Sequence, residues 1–145
     1  MPQEKKEFAL SDFTPYDLKE GEEYMNEAQQ DHFRKILGNW RQELMEEVDR
    51  TKEHMQTELN NYADPNDRAS QEEEFSLELR ARDRERKLLQ KIEAALRRIE
   101  DGSYGYCVET DEPINLRRLE ARPIASLSLH AQERHERMER IHRDD

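Results

Sequence analysis

The chain has 145 residues, 33% of them hydrophobic and 41% charged, with a net charge of −11 at pH 7. So little apolar material cannot fill a large globular core, and so acidic a chain is no general binder of nucleic acid, where phosphate contacts dominate affinity. A single cysteine, Cys107, excludes an intramolecular disulfide and a multi-cysteine zinc site.

The first twenty residues mix prolines, lysines and acids with Phe8, Leu10, Phe13 and Tyr16, and read as a loose arm over 1–21. No apolar run approaches the ~18 residues of a membrane span and no signal-peptide pattern opens the chain, so a cytoplasmic protein is expected. Gly21-Glu22-Glu23 is expected to open the first helix, with acids suited to the positive end of the helix dipole.

From Gly38 to Gly102 there is no other glycine and one proline, Pro65. This predicts a mainly α protein built on a long antiparallel coiled-coil hairpin over 22–101, with its tip at about 60–70. The first arm places Leu37, Trp40, Leu44, Val48, Thr51, Met55, Leu59 and Tyr62 at steps of 3 and 4, an eleven-residue repeat that implies a nearly straight seam. The second carries Phe75, Leu79, Leu89, Ile92, Leu96 and Ile99. A turn near residue 65 sets Met55 against Phe75, Thr51 against Leu79, Trp40 against Leu89 and Leu37 against Ile92. Each arm of ~35 residues spans ~50 Å.

At the tip, Asp64-Pro65-Asn66-Asp67 has the form of a helix start, with Asp at the N-cap, Pro at the first helical position and Asp at the third. The same carboxylates are also suited to reach magnesium or polar groups deep in a partner. Further on, Arg80 to Lys87 holds five basic and two acidic residues. It reads either as surface ion pairs with Glu46, Glu47 and Asp49, or as a basic docking face on an acidic protein.

Gly102 ends the second helix. Residues 102–145 read as a small end domain with a final helix. Tyr104 to Ile114 predicts a strand, a tight turn and a second strand, and Leu116 to Ala121 a helical turn stopped by Pro123. The last helix runs from Ser128, its N-cap, to about Arg143, with Ala131, Met138 and Ile141 on one face. Cys107-x2-Thr110-x17-Ser128-x2-Ala131 has the spacing of a zinc knuckle with three of four ligands missing. His130, His135 and His142 lie nearby but do not supply a matching set. Cys107 reads as a buried small residue, with nothing in the sequence to lower its pKa. No phosphate loop or nucleophile–base pair is present, so no enzyme is expected.

From Gly21-Glu22-Glu23-Tyr24-Met25 to about Arg140 the chain resembles the DksA family of bacterial transcription factors. The most specific stretches are Asp64-Pro65-Asn66-Asp67-Arg68-Ala69-Ser70-Gln71-Glu72-Glu73-Glu74-Phe75-Ser76-Leu77-Glu78, Arg82-Asp83-Arg84-Glu85-Arg86-Lys87-Leu88 and Arg117-Arg118-Leu119-Glu120-Ala121-Arg122-Pro123. The resemblance implies a protein that binds RNA polymerase directly and inserts its tip through the secondary channel. There, with the alarmone ppGpp, it modulates open complexes at ribosomal RNA and amino-acid biosynthesis promoters. It implies Asp64, Asp67 and Ala69 as the effector tip, Arg80 and Arg84 as docking residues, and Lys91 and Arg122 in a ppGpp site. A third basic ppGpp position falls here on Gln132, which would lose one charge-assisted phosphate contact. Thr110, Ser128 and Ala131 in place of cysteines resemble the cysteine-poor, zinc-independent branch. That knuckle is expected to hold without a bound metal by packing of Tyr104, Tyr106, Ile114, Leu119 and Leu127. A monomer without direct DNA or membrane binding is expected. The alternatives are a transcript-cleavage-type factor of the same channel, or a coiled-coil scaffold.

Overall fold

The computed structural model describes residues 14–60 and 68–144, with side chains over 14–57 and 70–142. Four helices follow in order: α1 (Glu27–Asn60), α2 (Arg68–Asp101), α3 (Leu116–Ala121) and α4 (Leu129–Asp144). Two compact units contain them, one of residues 1–38 with 94–145 and the other of residues 39–93.

Helix α1 begins later than Gly21-Glu22-Glu23 suggested, because the chain first turns through Met25 at φ 55°. Asn26 is the cap: its Oδ1 accepts the Gln29 N–H at 2.9 Å. Gln29 reaches back, its Oε1 accepting the Met25 N–H at 2.6 Å and its Nε2 donating to the Glu23 carbonyl at 3.3 Å. The arrangement is a capping box extended by one residue. Gln29 is fully buried by it, yet with both polar atoms satisfied.

At the other end of the pair, α2 stops at Gly102, φ 84°, where the Ser103 N–H bonds back to the Arg98 carbonyl at 2.9 Å. That six-to-one bond is a Schellman ending, and it needs the left-handed conformation that glycine adopts without a Cβ penalty.

In the unit of residues 39–93, α1 and α2 run antiparallel. Arg41 meets Glu93 at 3.4 Å and His54 meets Glu78 at 3.2 Å. Leu44, Met55 and Ile92 are its buried apolar residues, and Phe75 and Leu89 are half-buried. The expected pairing of Thr51 with Leu79 does not form a buried seam, since Leu79 is exposed. One line of half-buried positions on α2 instead runs through Gln71, Phe75, Glu78, Arg82, Glu85 and Leu89, in alternating four- and three-residue steps. That heptad line faces the partner helix. It was hidden in the sequence because four of its six members are polar.

The other unit packs around Phe33, Ile36, Leu37, Ala95, Ile99, Tyr104, Ile114, Leu119 and Ala131, all buried. Burial of each large side chain contributes about 1.5–3 kcal/mol relative to exposure. Phe33 and Tyr104 rings lie 5.5 Å apart, and the Tyr104 hydroxyl donates to the Pro123 carbonyl at 2.7 Å. The two strands expected over 104–114 are not present: that segment forms one isolated antiparallel bridge, Tyr106 with Pro113. The reason is length. Asp111 takes φ 59° and its N–H bonds to the Cys107 carbonyl at 2.9 Å, so the turn consumes most of the segment.

Helix α3 has the expected bounds, capped by the Asn115 side chain on the Arg117 N–H at 2.9 Å. Helix α4 starts as expected, with Ser128 Oγ accepting the Ala131 N–H at 3.2 Å. Its expected apolar face is only partly used: Ala131 is buried, whereas Met138 and Ile141 are exposed.

Candidate functional site

Of the residues expected at the hairpin tip, Asp64 and Asp67 lie outside the described residues. Ala69 falls in the first turn of α2. Arg80, Arg84 and Lys91 are all exposed on α2, in the unit of residues 39–93. None of the three makes an ion pair among the described residues. Arg86 and Lys87 differ, because Asp83 holds them at 2.7 and 3.1 Å. Those two bonds, with Lys87 foremost, hold the Asp83 carboxyl below its ordinary range. Asp83 thus offsets one of the two charges it contacts within the Arg80–Lys87 run, while Arg80 and Arg84 have no such partner among the described residues.

Arg122 and Gln132 belong to the other unit. Arg122 is exposed just beyond α3, and Gln132 is half-buried in the first turn of α4, its Nε2 3.4 Å from the Glu136 carboxylate. Arg118 is not free to join them, as its Nε donates to the Leu127 carbonyl at 3.2 Å.

The four positions with zinc-knuckle spacing do come together. Burial pushes the Cys107 thiol up. Against it, the Thr110 hydroxyl and the backbone N–H groups of Ser128, Glu109 and Thr110 all point at the sulfur and bring it down to about 6. No residue pattern signals this, because the donors are mostly backbone groups that a turn must first aim. Around it the loop is laced by backbone bonds: Cys107 N–H to the Glu112 carbonyl at 2.8 Å, Val108 N–H to the Ser126 carbonyl at 2.9 Å and Ile114 N–H to the Gly105 carbonyl at 2.7 Å. Glu109 adds a fork to α4, meeting Arg134 at 3.0 Å and also bonding His135.

A further group was missed in the sequence. The Tyr24 hydroxyl donates to the Gly105 carbonyl at 2.7 Å and also contacts the Ile114 carbonyl. Burial, with Tyr106 beside it, pushes that hydroxyl up to about 12, so it stays a donor. Nearby, the Tyr16 N–H donates to Glu120 at 2.8 Å, and His32 meets the same carboxylate at 3.0 Å. From Tyr16 onward the segment before α1 is tied to α3 through Glu120.

Residues 29–99 match the family described as DnaK suppressor protein DksA, N-terminal domain. Residues 102–137 match the prokaryotic dksA/traR C4-type zinc finger. The chain belongs to the DksA family. Among DksA relatives, the RNA polymerase-binding transcription factor DksA of Caulobacter vibrioides is 56% identical over 135 residues, 93% of each chain. The protein of the same name in Escherichia coli K12 is 60% identical over 121 residues, covering 83% of this chain and 80% of that one. In structure, the chain is similar to transcription factor DksA2 from Pseudomonas aeruginosa, with a TM-score of 0.76 and 48% identity over 81% of this chain and 90% of that one. These DksA relatives are named as transcription factors and not as enzymes.

The zinc-finger match poses a question of fit. A structural zinc takes four thiolate or imidazole ligands. Here Cys107 is the one such donor among the four positions, Ala131 has no donor at all, and Ser128 Oγ is engaged as the α4 cap. Among the described residues no group of three or more His, Cys, Asp or Glu is placed to hold a metal. The donor set does not fit the C4 zinc of the DksA finger.

Proposed function

We propose that this chain is a transcription factor that binds RNA polymerase directly, through the secondary channel, and with ppGpp modulates open-complex stability at ribosomal RNA and amino-acid biosynthesis promoters. The observation that carries the reading is 60% identity over 121 residues to a named RNA polymerase-binding factor. In this reading residues 1–21 are an arm, 22–101 the hairpin and 102–145 the end domain. Asp64, Asp67 and Ala69 form the effector tip, and Arg80 and Arg84 dock on the polymerase.

Lys91, Arg122 and Gln132 contribute to the ppGpp site. Gln132 carries no charge, so the phosphate attraction there is one cation weaker than in a site with a lysine. The protein works as a cytoplasmic monomer without direct DNA contact. No described helix is long and apolar enough to cross a membrane. The end domain folds without zinc, and the hydrogen bonds around Cys107 take the metal's place as the link between the 107–110 turn and α4.

In vitro transcription from a ribosomal RNA promoter, with and without ppGpp, tests the reading. Added protein should lower transcript yield, and ppGpp should deepen the effect. Asp67→Asn should keep polymerase affinity within about twofold of the parent and lose most of the inhibition. A loss of affinity equal to the loss of activity would count against the tip as effector.

A further inference from the structure

The two flanks of α2 differ in a way that the docking residues alone do not explain. Leu77 and Leu79 are both exposed, at 56% and 46%, and they lie on opposite sides of the heptad line Gln71, Phe75, Glu78, Arg82 that faces α1. On the Leu79 side the cation Arg86 is held by Asp83, which also holds Lys87 on the outer face of the helix. On the Leu77 side Arg80, Arg84 and Lys91 follow at three, seven and fourteen residues, all exposed and without an ion pair among the described residues. Leu88, half-buried, lies between the last two on the same line. Residues seven apart on a helix share a face, so Leu77 to Lys91 is one stripe of about 21 Å. One turn before Leu77 the face becomes acidic at Glu73, which ends the stripe.

We propose that Leu77 is the apolar anchor of the polymerase-docking face, seated in a recess of an acidic surface of RNA polymerase whose carboxylates meet Arg80 and Arg84. The proposal rests on the reading that this chain binds polymerase and that Arg84 docks. Its physical basis is the division of labour seen at protein interfaces. A large apolar side chain excluded from water at the centre supplies affinity, while surrounding cations steer the encounter and fix orientation. An exposed leucine alone needs no explanation. This one is continuous with uncompensated positive charge on an acidic protein, and its counterpart across the seam is not.

The experiment measures equilibrium binding of the full chain to core RNA polymerase at low and high salt, for the parent, Leu77→Ala, Leu79→Ala and Arg84→Ala. Leu77→Ala should weaken binding about tenfold at both salt concentrations, since the lost term is apolar burial. Arg84→Ala should weaken it mostly at low salt, because screening removes the charge term. Leu79→Ala should bind within about twofold of the parent. Helix content by circular dichroism should be unchanged in all three, as each side chain is exposed. Parent-like binding by Leu77→Ala alongside weakened Arg84→Ala overturns the anchor and leaves the docking reading standing. An equal loss in Leu79→Ala also overturns it. Parent-like binding by both Leu77→Ala and Arg84→Ala removes the docking flank as well, and a parent that does not bind at all removes the polymerase reading itself.

Discussion

Cys107 is buried and sits at the focus of three backbone N–H groups and one hydroxyl, a set of donors that favours the thiolate. Its value falls to about 6 in the fold, against ~8.5 for a free thiol. Between those two values the unfolded chain carries one more proton than the folded one, so stability rises with pH there and is lost as pH falls through 6. We expect the urea midpoint of the parent to climb from pH 6 to pH 8.5 relative to Cys107→Ser, whose own profile should be flatter across that window. The sequence foretold the burial of Cys107 but not its donors. Gly105 offers a second test. A Cβ there would lie 2.5 Å from Met25 Cε and 3.0 Å from the Tyr24 hydroxyl, at a backbone φ of 92°. Gly105→Ala should therefore cost about 1–3 kcal/mol in denaturant unfolding, from strained backbone and a displaced Tyr24.

Among the elements, the polar seam of α2 is the one that composition conceals. Counting apolar residues selects Leu79 and misses Glu78, because a heptad line with carboxylates in it leaves no apolar trace. Glu78 is half-buried, pairs with the exposed His54, and leaves its second carboxylate oxygen buried without a hydrogen-bond partner. Removing that desolvated oxygen costs little and fills the seam. Glu78→Leu should stabilise the unit of residues 39–93 by about 1 kcal/mol, read as a higher melting temperature. Elements with local punctuation were legible: Ser128 as a cap, Pro123 as a stop and Gly102 as an ending each act within a few residues of the boundary they set. The start of α1 was legible in principle, since Asn26 and Gln29 stand three apart as a capping box requires, but the acids after Gly21 gave a stronger and misleading signal.

At the scale of the whole molecule, hydrogen bonds and packing are proposed to hold the end domain where a C4-type zinc finger would use a metal. If that is sufficient, a strong chelator should leave the melting temperature unchanged, and purified protein should release no stoichiometric zinc on denaturation. A drop of many degrees with one zinc released per chain would refute the substitution. The tip aspartates remain legible only through resemblance, because a pair of carboxylates beside a proline has a sufficient local explanation as a helix start.

Tyr16, Tyr24 and their acceptors join residues 104, 81 and 90 positions apart in the chain. Such distant partners are costly to unite in a free coil, by a term that grows with the logarithm of the loop. Local helix and the zipping of α1 against α2 need no such closure and are fast. The hairpin is thus expected to assemble first and to shorten the loop that the tyrosines must close. The stitching of the N-terminal segment onto the loop after α2 and onto α3 should then be the last event in folding and its release the first in unfolding, so the amide of Tyr16 should exchange with solvent before those of α1 and α2.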